Sequence, residues 1–273
     1  MNLGSYSVQS FLKTLLVFFA GIIIVILMWE LLALYCNSGG TVMMFPTPAE
    51  SFERTFEWLL SGETLYGHTI YQHISRSLKR WLIAFIMASA AGVALGSILG
   101  YFDKIYSVGI VPVTVLQTIP GLAWIPIAIL LFGLGDDAAI FMIFTVSFMV
   151  ITINVAGGIR MVPETVLRAG GMMGASGSIL FLKILLPYAS VSIINGLRVG
   201  MGSAWRVLIA AEMLIGSGIG LGASMELLRY NLDFIGAFAC IIIICAIGLI
   251  VDRFIFAEIE KRVRHRLGME EGY

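Results

Sequence analysis

Charge is what this chain has least of. Only 12% of its 273 residues are Asp, Glu, Lys or Arg, and the formal net charge is zero, against about 25% charged residues in an ordinary soluble domain. A chain so sparsely charged carries no basic surface for a polyanion, so no nucleic-acid partner is expected. Cysteine is scarce as well. Cys36, Cys240 and Cys245 form no C-x-x-C pair, so they read as small apolar residues, with neither a disulfide framework nor a metal site expected. His68 and His73 are five residues apart in what reads as a loop, and there is no H-E-x-x-H, G-x-S-x-G or phosphate-cradling G-x-x-x-x-G-K-[ST]. The Gly-rich stretch Ser217–Gly222 contains no G-x-G-x-x-G and reads as a tight turn before a short helix, Ala223–Tyr230. With no catalytic constellation, the chain is not expected to be an enzyme or to hold a cofactor or metal of its own. A small-residue cleavage site after the first apolar run is missing too: Glu30, Leu31 and Leu32 follow it, which predicts a retained first span and not a cleaved signal.

What the chain has in abundance is apolar length, at 59% hydrophobic residues. Uncharged runs occupy Thr14–Trp29, Trp81–Phe102, Ile105–Gly135, Ala138–Ile159 and Phe234–Val251, the first needing the apolar residues beyond Glu30 to reach spanning length. A further run, Leu185–Ile215, is interrupted by Arg198, Arg206 and Glu212. About 20 residues at 1.5 Å each cross the hydrocarbon core, so these predict an all-α polytopic membrane protein with six transmembrane helices. If the N-terminus is inside, ten Lys/Arg fall on the cytoplasmic side (Lys13, Lys104, Arg160, Arg168, Lys183, Arg253, Lys261, Arg262, Arg264, Arg266) and five outside (Arg54, Arg76, Lys79, Arg80, Arg229). The positive-inside rule then places both termini in the cytoplasm. The cluster Arg76, Lys79, Arg80 dissents.

Between the fourth and fifth spans, Val162 to Arg198 carries Glu164, Arg168, Lys183 and a Gly-rich centre. Such a segment belongs in water or against a soluble partner. Pro163 suits a first helical turn and Glu164 the positive end of the dipole. Gly170, Gly171, Gly174 and Gly177 would leave a surface that another backbone can approach. A plain loop between two spans is the alternative.

Other features are local. Thr47, Pro48 and Glu50 form a capping-box start for an amphipathic helix over Ser51–Leu60, with Phe52, Phe56, Leu59 and Leu60 as its apolar side. It would lie either on the outer membrane surface or over the protein's own loops. Gly92, Gly96 and Gly100 line one face of the second span, a packing signal. The 31-residue uncharged run Ile105–Gly135 is too long for one straight helix and should bend at Pro120-Gly121. Arg198, Arg206 and Glu212 are costly in hydrocarbon. Arg198 reads as a residue snorkelling to the inner boundary. Arg206 and Glu212 are either a structural ion pair, with Glu30 at similar depth, or, with Trp205 seven residues before Glu212 on one face and Pro120, lining of a pathway.

Gly174-Ala175-Ser176, with Leu186-Pro187 a dozen residues on, resembles the cytoplasmic E-A-A loop of permease subunits in binding-protein-dependent type I ABC importers, although Arg168-Ala169-Gly170 stands where that motif has E-A-A. Gln117–Gly135 and Gly196–Leu214 resemble the third and fifth spans of that family, and Phe45-Pro46-Thr47-Pro48 resembles its nitrate/sulfonate/taurine/bicarbonate branch. The resemblance, which covers Phe45 to Glu260, implies the type I permease fold and a homodimer in a prokaryotic inner membrane. It implies cytoplasmic ATPase subunits carrying ATP and Mg, an extracytoplasmic solute-binding protein, and a small anion as solute. Coupling to the ATPase would run through Glu164, Arg168, Ala169, Gly170, Gly174, Ala175, Ser176, Leu186 and Pro187. The corresponding division is 1–80 for the first span and outer helix, 81–260 for a five-span core with the coupling loop at about 160–183, and 261–273 for a cytoplasmic tail. An autonomous secondary transporter is the alternative, though inverted repeats with paired broken helices are not evident.

Overall fold

The computed structural model describes residues 3–39, 44–216, 218–256, 258 and 262–263. The expected tail at 261–273 falls almost wholly outside the described residues, as does Ser217. A polypeptide this apolar must satisfy its backbone hydrogen bonds within itself, and helices do so segment by segment. The chain is accordingly helical nearly throughout.

Helix α1 (Leu3–Ser38) is apolar all round. Leu16, Val25 and Leu31 are each about two-thirds exposed, and Ala33 is fully buried. A helix apolar on every side belongs in lipid or against a partner. Its far end is tied to the next segment: the Asn37 amide donates to Phe45 O at 3.1 Å and accepts from Phe45 N at 2.7 Å. Trp29 Nε1 donates to Pro46 O at 2.9 Å. Helix α2 (Pro48–Ser61) starts as its sequence predicts, with a capping box between Thr47 and Glu50 and a left-handed Gly62 at its end. Its expected apolar side is divided between the protein and the outside. Ser51, Thr55 and Trp58 are buried, with α2 packed along α11, while Phe56 and Leu60 are exposed. The small polar residues permit close approach to α11; of the apolar side, Phe52 meets Trp29 and Leu59 packs on the core, while Phe56 and Leu60 face outward.

A hairpin of two two-residue strands, β1 (Thr64–Leu65) and β2 (His68–Thr69), pairs antiparallel with Thr64 opposite Thr69. Its turn residues, Tyr66 and Gly67, both have positive φ, the backbone that a two-residue hairpin requires. The hairpin feeds α3 (Ile70–Tyr101), so His73 lies in a helix and not in a loop.

The centre of the fold is α6 (Asp136–Arg160), clamped between α3 and α9 (Leu186–Ile215). Glycines make both contacts. A Cβ on Gly92, Gly96 or Gly100 of α3 would fall within 3 Å of Ile151, Val155 or Ile159 of α6. On the other side, Gly196 and Gly200 of α9 seat Asn154 and Ile151, and Gly158 of α6 seats Ser192. Where surrounding lipid is as apolar as the helices, association rests on such close van der Waals packing.

Between α3 and α6 the long uncharged run breaks where expected. Helix α4 (Asp103–Gln117) and helix α5 (Ile125–Phe132) flank a 3₁₀ turn at Gly121–Trp124, and the two halves are bent by 97°. Pro120 has no N–H to continue a ladder. Among the described residues five helices are long and apolar enough to cross a membrane, or six if the bent pair counts as one span. After α6 come α7 (Glu164–Met172) and a short helix, α8 (Gly177–Leu180), which runs through a π-type stretch at Phe181–Leu185 into α9. Pro187 explains that stretch: its ring crowds the carbonyl four residues back and offers no donor, and a widened turn absorbs both. Helix α10 (Leu221–Tyr230) and helix α11 (Phe234–Ile250) complete the chain. Trp81 and Trp205 meet edge to face at 6.0 Å in the core that joins α3, α9 and α11.

Candidate functional site

Two places concentrate the polar residues, one at each end of the three-helix centre. At the first, α7 leaves the bundle between α6 and α9. Glu164 and Arg168, one turn apart, form an ion pair at 2.5 Å with both side chains 77% exposed. Ala169 is exposed, Gly170 buried, Ala175 half-buried and Ser176 exposed. Gly170 is where α7 rests on the bundle, since a Cβ there would lie 2.3 Å from Ile184 Cδ1.

Gly174 does something other than what its sequence suggests. Its φ is +84° and a Cβ would meet nothing within 4 Å. Gly174 N donates to Gly171 O and Ala175 N to Gly170 O, each at 3.0 Å. Those two bonds, with a left-handed residue between, are a Schellman termination. The glycine therefore stops α7 and turns the chain into α8. Gly177 likewise has positive φ. Met172 and Met173, which sequence reading passed over, are 85% and 80% exposed at the tip of α7. Leu186 and Pro187 are half-buried at the start of α9 and stand behind the projection.

At the opposite end, Glu212 is 2% exposed and Arg80 equally so. Arg80 Nη1 donates to Glu212 Oε1 at 2.6 Å and to Ile219 O at 2.7 Å, and Nε donates to Asp136 Oδ1 at 2.7 Å. Arg76 pairs with the other Asp136 oxygen. Ser77 Oγ lies 2.8 Å from both Glu212 oxygens, and Gly222 N donates to Oε2 at 3.0 Å. His73 Nε2 donates to Leu65 O at 3.1 Å and Nδ1 accepts from Gly220 N at 3.1 Å. The Gly-rich turn is thus a cradle: a Cβ on Gly220 would lie 2.6 Å from the Glu212 carboxylate, and one on Gly222 only 2.4 Å from Ile209 O.

The cluster corrects two expectations. Glu212 pairs with Arg80, 132 residues away, and with neither Arg206 nor Glu30. Six residues on a helix turn through about 600°, which puts Arg206 on a different face from Glu212. Trp205 and Glu212 do share a face, but it is the buried one. Arg76 and Arg80 of the basic cluster that dissented from the charge rule pair with Asp136 and Glu212.

Arg198 does not snorkel alone. Its Nε and Nη2 form a fork with Asp252, just past α11, at 2.7 and 2.9 Å. Arg206 is exposed, and among the described residues its polar contact is a 3.3 Å bond to Ser203 Oγ. Pro120 is exposed at the break, and the neighbouring Gly121 packs on Val207. The structure therefore separates the four pathway candidates: Trp205 and Glu212 face the core, Arg206 and Pro120 face outward.

Comparison with known proteins comes to the same elements. The sequence profile described as "Binding-protein-dependent transport system inner membrane component" matches residues 92–265. The chain is 37% identical over 229 residues, 84% of each chain, to a putative ABC transporter permease protein of Methanocaldococcus jannaschii. It is 34% identical to the nitrate import permease protein NrtB of Synechocystis sp., covering 86% of this chain and 84% of that one. It is 31% identical to the bicarbonate transport system permease protein CmpB of Synechococcus elongatus, covering 86% and 85%. An inward-facing structure of the MetNI methionine ABC transporter superposes with a TM-score of 0.60 at 18% identity, over 77% of this chain and 98% of that one, a likeness of fold.

Proposed function

The chain belongs to the binding-protein-dependent transport system inner membrane component family, as a membrane-spanning permease subunit of an ABC importer, and from that premise we propose that it carries a small anion and couples its passage to ATPase subunits through α7. The observation that carries the coupling reading is the projecting helix. An amphipathic helix that rests on the bundle through Gly170, Val166 and Leu167, and ends in two bare methionines, is shaped to insert into a groove on another protein. Met is the adaptable apolar residue for such a contact. The exposed Glu164–Arg168 pair supplies its polar flank.

Anion transport is supported by relatives named for nitrate and bicarbonate. On this reading two copies form the pathway between them, a solute-binding protein delivers the anion from outside, and hydrolysis of ATP with Mg belongs to the partner subunits. Helix α7 then faces the cytoplasm of a prokaryotic cell together with both termini, and the Arg80–Glu212 cluster lies at the outer end. The test is co-purification with the ATPase subunit. Met172→Asp with Met173→Asp should reduce recovered ATPase at least tenfold while the permease still inserts and dimerises. Recovery equal to wild type would remove α7 as the coupling element.

A further inference from the structure

We infer that Arg206, with Ser203 one turn before it, is an oxyanion-binding station inside the permease itself. The inference rests on the importer reading above and adds a site to it. Two arginines of the spanning helices find opposite charges: Arg80 with Glu212 and Asp136, and Arg198 with Asp252. Arg206 is different. It lies well inside the 39-residue apolar stretch Gly177–Ile215, is exposed, and meets no carboxylate among the described residues. An arginine cannot shed its proton to escape the cost of facing lipid. The face that carries it must therefore meet water or a counter-charge.

That face is polar beyond Arg206. Ser192, Asn195 and Ser203 fall in line with it at helical spacing. Beneath Ser192 and Asn195, a cavity of about 550 Å³ opens against Asn154 and Gly157 of α6. At the other end of the row, Gly121 packs on Val207, next to Arg206, so the break between α4 and α5 stands at the same level. The geometry is a face of uncharged hydrogen-bonding groups, interrupted by the exposed Val199, that leads to a guanidinium with no carboxylate partner among the described residues. A guanidinium offers two parallel donors to two oxygens of one ligand, while the Ser203 hydroxyl, which accepts from Arg206 Nη2 at 3.3 Å and donates to Val199 O at 3.1 Å, steadies the head group. A planar or tetrahedral oxyanion fits that set, whereas a spherical halide cannot use the fork.

Two measurements test the station. In the first, the purified permease alone is heated in nitrate, bicarbonate or sulfate and compared with equal ionic strength of chloride. A ligand that binds only the folded chain raises its melting temperature, so at least one oxyanion should raise it, and Arg206→Gln should abolish the rise. No rise in the wild type with any of the three overturns the site, whatever the complex transports. In the second, the whole importer is reconstituted in proteoliposomes. Arg206→Gln should cut ATP-driven oxyanion uptake at least tenfold, with complex recovery and basal ATP hydrolysis within twofold of wild type and Arg206→Lys intermediate. Ser203→Asp is the decisive variant, because its carboxylate pairs the guanidinium from one turn away. If Arg206 only needs a counter-charge, Ser203→Asp assembles and transports normally, and the station is refuted. If Arg206 holds the substrate, Ser203→Asp assembles and uptake collapses. A melting shift that depends on Arg206, combined with no ATP-driven oxyanion uptake by the wild type, would overturn the transport reading and leave the site standing.

Discussion

Glu212 offers the sharpest test of how the outer cluster holds the fold. Its two oxygens accept from Arg80 Nη1, Ser77 Oγ and Gly222 N, so it joins α3 and α9 to the turn that starts α10. Replacing it with Ala leaves Arg80 buried with one carboxylate where it had two, and strips Ser77 and Gly222 N of their acceptor. Removing one partner of a buried ion pair typically costs about 3–5 kcal/mol. For a chain of this size each kcal/mol moves the melting temperature by about 2–4 °C, so the expected fall is about 6–20 °C. Glu212→Gln should fall less but not vanish, since its amide nitrogen would face Arg80 or Gly222 N, donor against donor. With Cys36 and Cys245 replaced by Ser, the natural reporter is Cys240, which is fully buried and becomes reactive to a fluorogenic maleimide only on unfolding. The double change Arg80→Met with Glu212→Met removes both charges and should recover part of the loss. A melting temperature within 2 °C of wild type for Glu212→Ala would refute the reasoning, and additive losses in the double change would show that the two residues do not act as a pair.

The remaining predictions concern sidedness and the outer helix. On a background free of native cysteine, a cysteine at Gly177 should react with an impermeant thiol reagent only in inverted membranes, and one at Glu63 only in right-side-out spheroplasts; the reverse pattern would overturn the proposed orientation. Hydrogen bonds from the Thr47 backbone N–H and hydroxyl hold the Glu50 carboxyl below its ordinary value. Because the folded pKa is the lower one, this part of the cap's stability is full above the ordinary carboxylate range and is lost as pH falls through the folded value. Hydrogen exchange in α2 should therefore quicken only in acid below about pH 4.5, and Thr47→Ala, at about 1 kcal/mol, should quicken it at neutral pH as well. An α2 that exchanges alike in both would show the cap to be without effect.

The parts of this fold that are local, or that lipid enforces, could be read from the sequence. Apolar length marks spans because hydrocarbon leaves the backbone few alternatives to a helix, and the bend at Pro120-Gly121 follows from a missing donor. The Thr47–Glu50 box involves neighbours only, and the Gly92/Gly96/Gly100 stripe needs no partner to be noticed. What escaped depends on distant contacts or on backbone angle. Nothing within the chain near Glu212 points to Arg80, 132 positions back. The sequence draws the eye to Arg206, which helix geometry then turns away. The two-residue hairpin is too short for an alternating pattern, and its Tyr66-Gly67 turn lacks the Asn-Gly signal. Met172 and Met173 look like core residues in a list, and only their place at a helix tip exposes them.

Gly174 carries a demand on backbone angle that its place in a motif does not reveal. If its role were to let a partner's backbone come close, any side chain would be harmful in proportion to its size, and alanine would be nearly as good as glycine. The structure instead gives φ of +84° and open space where a Cβ would sit. The demand is therefore on backbone angle. Asn adopts the left-handed region at modest cost, whereas a β-branched residue there is a true outlier. The expected order of function is Gly174→Asn best, Gly174→Ala intermediate and Gly174→Val worst, although Asn is larger than Ala. A single strained residue costs on the order of 1–3 kcal/mol, enough to fray the last turn of α7 and displace Met172 and Met173 from the tip. Complex recovery and substrate-stimulated ATP hydrolysis should follow that order, while the spans, packed through other glycines, stay inserted and dimeric. If recovery instead falls with side-chain volume, Ala above both Asn and Val, the contact would be a close approach after all, and the helix-stop explanation would have to be given up.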